Sequence, residues 1–390
     1  MAQTADAIII GAGIHGCSLA FHLAEKGVKS VVLERKVVAA GGTGRSSGLV
    51  RMHYDNRPEA ELTWASFQYF NNWKERVGVG NCDFQRTGFI QIVKPNMSEA
   101  LRKNVAMQQE IGIPTMVVGP DDVKRLAPQF VVEDIEVAAY EPNSGYADAT
   151  AAAMGFMNAA KEMGAALVQD CAVTDINVSG GKVTGVQSRQ GDYDAPVIVD
   201  CAGPWAAPVA KMAGLDIPVD TWRHDTMFIK HPPQMGPYYP TVIDFPTFSY
   251  FRPETGGLTL VGLEDNNPIG EDPEGNVDHA KAGFVERAID YLCQRVPLME
   301  QATFHSAHGG YDGITPDQHA ILDQAGPDGF YLQCGMSGTG FKIAPAIGAC
   351  MAELIVDGKA TTVDLTPFRL SRYQEGTTLD GEFSYGNMWL

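Results

Sequence analysis

Ala7-Ile8-Ile9-Ile10-Gly11-Ala12-Gly13-Ile14-His15-Gly16 sets a four-residue apolar run against three spaced glycines, followed by an alanine-rich helical pattern. The order strand, glycine turn, helix is the context in which G-x-G-x-x-G carries chemistry. Gly11 permits the tight turn out of the strand, Gly13 lets backbone approach a pyrophosphate, and Gly16 lets the helix pack closely on the sheet. Ile14 and His15 open the helix, whose free N–H groups face the phosphates. A second apolar run, Ser30-Val31-Val32-Leu33, ends in Glu34, eighteen residues beyond Gly16. A carboxylate there suits a ribose 2′-hydroxyl and repels a 2′-phosphate. The stretch predicts a bound ADP moiety and leaves FAD and a nicotinamide dinucleotide both open.

Working outward, Ala39-Ala40-Gly41-Gly42-Thr43-Gly44-Arg45-Ser46-Ser47-Gly48 is a small-residue loop able to lie against a long flat cofactor. Leu49-Val50-Arg51-Met52-His53-Tyr54 follows, then a helix through Trp64, Phe67, Phe70 and Trp73, whose spacing gives one apolar face. A strand over 88–93, a helix over 98–111 and a helix over 121–126 capped by Asp121 or Asp122 come next. A helix to about Met163 and strands around 166–168, 171–176, 182–186 and 196–201 return to the nucleotide-binding pattern. Between Ile217 and Tyr311, aromatic and proline-rich strands predict an antiparallel wall, interrupted by one helix over 277–295. Last, a strand over 329–334, a second glycine loop Gly335-Met336-Ser337-Gly338-Thr339-Gly340-Phe341-Lys342 and a helix over 343–356 repeat the N-terminal logic. Such a helix start stabilises negative charge.

The fold class is therefore α/β: a Rossmann-type dinucleotide-binding domain with a second α+β substrate domain built on an antiparallel sheet. The expected division gives 1–86, 145–216 and 323–390 to the cofactor and 87–144 and 217–322 to the substrate. With 390 residues, 45% of them hydrophobic, the chain has material for both cores. Its 47 acidic against 29 basic residues, net −18, disfavour nucleic acid and anionic membranes as partners. Seven cysteines without a C-x-x-C pair suggest neither a disulfide framework nor a zinc site, and no metal is expected. No signal peptide or membrane-spanning run is read, so a cytoplasmic location is expected.

On residues 11–16, 34, 41–48, 202–205, 315–317 and 335–342 together, the chain resembles the D-amino-acid oxidase superfamily of flavoenzymes, in the branch of the sarcosine oxidases, dimethylglycine dehydrogenases and glycine oxidases. The resemblance implies FAD. It places Glu34 and Arg35 at the adenosine ribose, and Gly42, Thr43, Arg45, Ser46, Ser47 and Gly48 at the phosphates and flavin edge. It places Val173 at the adenine, Ala202, Gly203 and Trp205 beside the ADP moiety, and Gly335, Gly338, Thr339, Gly340, Phe341 and Lys342 at the flavin pyrimidine. It implies that Arg51 and Lys342 hold a substrate carboxylate, with Tyr54, Tyr250, Phe251 and Tyr311 as walls. Arg252 is a further cation on the same sheet, and His53, His305 and His308 are candidates for moving protons.

The activity implied is oxidation of the secondary or tertiary amine of an N-substituted, sarcosine- or glycine-like amino acid by hydride transfer to FAD, followed by imine hydrolysis. O2 or another acceptor then takes the electrons, and a homo-oligomer or a hetero-complex subunit is left open. The alternative is a dehydrogenase, or an electron-passing subunit, with an opine- or iminodiacid-type substrate. Two departures from the family pattern predict non-covalent FAD: Gly310 stands where a tethering cysteine lies, seven residues before the aspartate of Thr315-Pro316-Asp317, and the place of a tethering histidine falls near Arg45. A third concerns the acceptor. Sarcosine oxidases carry a lysine over the flavin on the strand matching 258–262, and no lysine occurs between Lys230 and Lys281.

Overall fold

The computed structural model describes residues 3–264 and 267–385. Residues 386–390, assigned above to the cofactor portion, lie outside the described residues, as do 1–2 and 265–266.

Ala7–Ile10 is the centre of a six-stranded sheet in the order 321–324, 330–334, 198–200, 7–10, 30–33, 166–168. All pairs are parallel except the edge strand Ile321–Gln324 against Phe330–Cys334. Every residue of Ala7–Ile10 is buried, because the sheet is covered on both faces. Ala7 and Ile9 pack on the side of the helices Ile14–Glu25, Ala149–Glu162 and Gly340–Asp357. Ile8 and Ile10 pack on the opposite side, against a four-stranded sheet (3–4, 191–194, 182–188, 173–179) and the helix Ala206–Met212. The glycines do the steric work expected of them. A Cβ on Gly16 would overlap the Gly11 carbonyl oxygen, and one on Gly11, whose φ is +104°, would come within 2.7 Å of the Cys201 carbonyl oxygen.

The second large sheet has eight strands in the order 303–314, 220–230, 258–263, 249–254, 241–244, 89–92, 138–141, 116–118. It is antiparallel throughout except where Thr241–Asp244 runs parallel to Phe89–Ile92. One face buries Met227, Val242, Phe251 and Val261 against the helix Phe284–Arg295. Arg295 and Asp244, both fully buried, join helix to sheet at 2.6 Å. The other face turns toward the first sheet.

Helix boundaries follow their caps. Asn56 accepts the Glu59 N–H at 3.0 Å to start Arg57–Asn71, and Asp148 accepts the Ala151 N–H at 2.8 Å to start Ala149–Glu162. Two expectations are corrected. The helix expected over 277–295 begins at Phe284, because Gly283 sits in the left-handed region at φ +79° and Arg45, Arg223 and Asp225 hold 276–281 as a loop. The helix expected to be capped by Asp121 or Asp122 has Gly119 as its N-cap, with Asp122 reaching back to accept the Gly119 N–H at 3.3 Å. Among the described residues no helix is long and apolar enough to cross a membrane, and none of the groups of His, Cys, Asp and Glu could hold a metal. All seven cysteines are free thiols, and six are buried.

Candidate active site

Between the two large sheets runs a cavity of about 690 Å³, extending from the ends of Ala7–Ile10 and Ser30–Leu33 to the inner face of the eight-stranded sheet. The N-terminal glycine turn, the 39–48 loop, the 202–205 turn and the second glycine loop all border it.

At one end, Glu34 is held rigidly at its strand terminus. Its carboxylate accepts the Ala12 N–H at 2.8 Å and the Lys36 N–H at 2.7 Å. Thr43 reaches across to accept the Ile14 N–H at 2.9 Å, and a Cβ on Gly13 would lie 3.2 Å from the same hydroxyl oxygen. Arg35 stacks over Trp205 at 3.9 Å and pairs with Glu274, forming a flat cationic lid over this end. Val173, Ala202 and Gly203 complete the lining. A narrow passage walled by glycine, a carboxylate at a strand end and a helix N-terminus suit the ribose, adenine and pyrophosphate of a dinucleotide.

Further along, Gly42 fits against the Tyr311 carbonyl oxygen, 2.8 Å from where its Cβ would be. Asp312 accepts the N–H groups of Gly338 at 2.7 Å and Gly313 at 2.8 Å, fixing the second glycine loop to the strand Thr303–Ile314. Gly340 opens its helix with a Cβ position 3.0 Å from His15 Nε2, so the two helix N-termini converge. Burial lowers the His15 pKa to about 4 and keeps that imidazole neutral. Ser46, Ser47, Thr339 and Phe341 line the same section.

The far end carries the charge. Arg51 is buried, its guanidinium 4.4 Å from the centre of the Tyr54 ring, donating to the His53 carbonyl. Lys342 lies across the same ring, its Nζ 5.9 Å from the ring centre and 3.5 Å from the Gly338 carbonyl. Among the described residues neither cation forms an ion pair, and the buried Arg51 Nε has no hydrogen-bond partner. Burial, reinforced by the charge of Arg51, pulls the Lys342 pKa down to about 7, while Glu59, Asp312 and Glu264 oppose that from further off. Two buried cations without a counter-ion are costly, and an anionic ligand is the natural relief.

Tyr250 crosses the sheet toward the same space, and its place is dictated by register. Gln91, Ile243, Tyr250 and Gly262 stand side by side on four neighbouring strands. A Cβ on Gly262 would overlap the Tyr250 ring, so that glycine is what lets the phenol lie flat.

Several expected residues fall elsewhere. Gly16, Gly48 and Gly335 do not line the cavity: Gly16 seats helix on strand, a Cβ on Gly48 would overlap the Ala147 carbonyl, and one on Gly335 would meet Thr315 Cγ2 at 2.5 Å. Phe251 follows Tyr250 by one residue and so points to the opposite face, into the core. Tyr311 borders the cavity but sends its hydroxyl toward Glu271 at 3.5 Å. Arg45 lines the cavity, yet its guanidinium donates to the Val277 carbonyl at 2.9 Å and pairs with Asp278 at 3.2 Å. Arg252 is held outside it by the Ser47 carbonyl at 2.6 Å and Glu254 at 2.8 Å, and His305 and His308 do not reach it. The residues that sequence reading passed over are Gln91, Trp222, His224, Glu264, Glu59, His319 and Tyr385, all on the cavity wall. Only Glu264 carried a signal: it follows Gly262 at the strand period of two.

A family model described as FAD dependent oxidoreductase (DAO) matches residues 6–354. The chain belongs to that family. FAD is therefore the dinucleotide, and the glycine-walled passage, the Glu34 carboxylate and the two convergent helix starts are the residues that fit it. The chain is 27% identical over 392 residues to mitochondrial sarcosine dehydrogenase of Mus musculus, covering 96% of this chain and 42% of that one, so it spans under half of that relative's length. It is 25% identical to sarcosine oxidase subunit beta of Rhodobacter capsulatus, covering 98% of this chain and 91% of the other. Its fold superimposes on L-proline dehydrogenase from P. horikoshii with a TM-score of 0.90 at 23% identity, covering 97% of this chain and all of that one.

Proposed function

We propose that this flavoenzyme oxidises the secondary or tertiary amine of an N-substituted, sarcosine- or glycine-like amino acid. The observation that carries the reading is the pair of buried, unpaired cations, Arg51 and Lys342, on either side of Tyr54. An arginine fork takes a carboxylate in two parallel hydrogen bonds, and the lysine adds a point charge. Bound FAD accepts the hydride from the carbon next to nitrogen. The chain's own residues orient and desolvate. The clamp fixes the carboxylate, Tyr54 and Tyr250 exclude water, and the cations disfavour the ammonium form of the amine. In this reading residues 1–86, 145–216 and 323–390 serve the cofactor, and 87–144 and 217–322 form the substrate wall.

Steady-state turnover with an artificial electron acceptor tests it across a panel of N-methyl and N-alkyl amino acids and the matching amines without a carboxylate. Turnover confined to the carboxylated members is expected. Preference for simple amines would remove the clamp from substrate binding.

The pH dependence of the clamp follows from Lys342. Its pKa, near 7, lies below the ordinary lysine value, so the ammonium is present below pH 7 and is lost as pH rises through it. Acetate, a carboxylate that cannot be oxidised, should therefore bind more tightly as pH falls through about 7. Lys342→Met should flatten that step, and a step of unchanged size in the variant would assign it to another group.

FAD is held without a covalent bond. The two positions at which relatives of this kind attach flavin lie against each other here: a Cβ on Gly310 would sit 2.9 Å from Arg45 Cβ, and neither residue offers a nucleophile. Acid precipitation is expected to release the yellow colour into the supernatant. Colour remaining in the pellet would reveal an attachment residue.

A second reading, in which electrons go to a quinone or protein acceptor, is favoured by the absence of lysine from 231–280 and by the engagement of Arg252 with Ser47 and Glu254. A fixed cation stabilises the negative charge formed as O2 takes its first electron. Substrate-reduced enzyme mixed with air-saturated buffer should reoxidise more slowly than it turns over with an artificial acceptor. Reoxidation that keeps pace would make it an oxidase.

A further inference from the structure

Residues 376–385 cross the substrate end of the cavity as a strap, with Leu379, Gly381 and Tyr385 on its wall. The strap hangs from two carboxylates. At its start Asp317, of the Thr315-Pro316-Asp317 element, pairs with the fully buried Arg372 at 2.7 Å and accepts the Leu379 N–H at 3.2 Å. Further on, Asp55 accepts the Tyr385 N–H at 3.4 Å, and a Cβ on Gly381 would overlap the same carboxylate. Asn104 adds a hydrogen bond to the Phe383 carbonyl at 2.9 Å.

These anchors deliver one aromatic ring to the cavity. The Tyr385 hydroxyl lies 2.7 Å from His53 Nε2, the two rings stack with centres 5.9 Å apart, and the Phe245 ring meets Tyr385 edge-on at 5.6 Å. The His53 carbonyl in turn accepts the Arg51 guanidinium, so the phenol closes the cavity beside the clamp. Burial raises the Tyr385 pKa against the opposing charge of Arg51, and the wall is a neutral ring that does not repel a carboxylate.

We propose that Tyr385 sets the upper size of the group on the substrate's α-carbon. The inference rests on the amine reading above and narrows it to amino acids with little or no α-substituent. A carboxylate on Arg51 and Lys342 fixes the α-carbon next to the clamp, and a group on that carbon starts closer to the clamp than any group on nitrogen. The C–H bond that yields hydride must face FAD, which turns the α-substituent toward the wall where Tyr385 stands. The ring cannot step aside, because His53 holds its hydroxyl, Phe245 its edge and Asp55 its backbone. At a close-packed wall each methylene shifts selectivity by about 10- to 200-fold.

The Asp317 and Asp55 anchors do not use the Tyr385 ring, so replacing it removes the wall and leaves the strap in place. The test compares two carboxylates that carry no amine, read by the change each causes in the visible spectrum of bound FAD. Acetate occupies the clamp alone, and 4-methylpentanoate adds the side chain of leucine to the same carbon. Tyr385→Ala should raise the affinity for 4-methylpentanoate relative to acetate by about tenfold or more over the wild type, and Tyr385→Phe, which keeps the ring, should not. An unchanged ratio in Tyr385→Ala, or a wild type that already prefers the longer acid, would overturn the proposal. Should Tyr385→Ala not hold FAD, Tyr385→Val carries the same comparison. In anaerobic bleaching, Tyr385→Ala should gain on N-methylleucine relative to N-methylglycine in the same direction. A shifted carboxylate ratio with no bleaching by any amino-acid amine would overturn the amine reading and uphold Tyr385 as the limit on ligand size.

Discussion

Arg51→Ala retains FAD and loses about 3–5 kcal/mol of transition-state binding toward a carboxylated amine, a fall in kcat/KM of roughly a hundred- to several-thousand-fold. Removing one member of a buried charge pair leaves the other uncompensated, which is why the loss belongs near the upper end of measured effects. Arg51 borders the substrate end of the cavity and packs on Tyr54 and Phe89, away from the Glu34 end, so FAD content should be unaffected. The comparison substrate is the same amine without its carboxylate. For it the wild type and Arg51→Ala should differ little, because the lost interaction is absent from both. Near-normal kinetics of the variant with the carboxylated substrate would take Arg51 out of the site.

Gly16→Ala should abolish FAD retention. The added methyl meets the Gly11 carbonyl oxygen and lies 3.2 Å from Ile9 Cγ2, neither of which is the yielding end of a flexible side chain. The helix Ile14–Glu25 must lift off Ala7–Ile10, and with it go the helix N-terminus at the phosphates and the Thr43 contact to the Ile14 N–H. Overpacking of this kind costs about 1–3 kcal/mol, and more where backbone cannot yield. The purified variant should be colourless, with a lowered melting temperature that added FAD does not restore. Gly27→Ala is the control: its φ is also positive, +79°, but nothing lies within 4 Å of the Cβ. It should cost only the backbone strain of about 1 kcal/mol and stay yellow. A yellow Gly16→Ala would mean that the helix start does not hold the phosphates.

The cofactor end of this molecule was readable in the chain because its chemistry is local. Gly11, Gly13, Gly16 and Glu34 are spaced by one βαβ unit; a Cβ on Gly11 or Gly16 would run into backbone, and the Glu34 carboxylate takes the Ala12 and Lys36 N–H groups at its strand end. The same holds for the second glycine loop, where Gly338, at φ +79°, fits beneath Trp222. The substrate end is different. His224 and Glu264 lie forty residues apart and meet only through strand register, which depends on pairings that neither segment specifies alone. The role of Gly262 is hidden for the same reason, since the ring it accommodates belongs to Tyr250 on the next strand. Phe251 belongs to the core and not to the wall expected of it, because the period of two sends it to the face opposite Tyr250. Arg45 is expected at the flavin edge, but a guanidinium is long enough to turn aside, and it finds its partners in Val277 and Asp278, whereas Arg252 forms a structural ion pair with Glu254, the reading the sequence favours for it. The helix expected from Val277 began late because its first turn is claimed by Arg223, which donates to the Asn276 and His279 carbonyls.

The central claim is that the two buried cations select an amino-acid amine for oxidation over FAD. Anaerobic mixing of the yellow enzyme with N-methylglycine and other N-alkyl amino acids, set beside the same amines with the carboxylate replaced by a methyl group, tests it in a single turnover without reference to the electron acceptor. The account predicts rapid loss of flavin colour with at least one carboxylated amine and none on the same timescale with its methyl counterpart. Bleaching by both members of each pair at similar rates, or by neither, would contradict it.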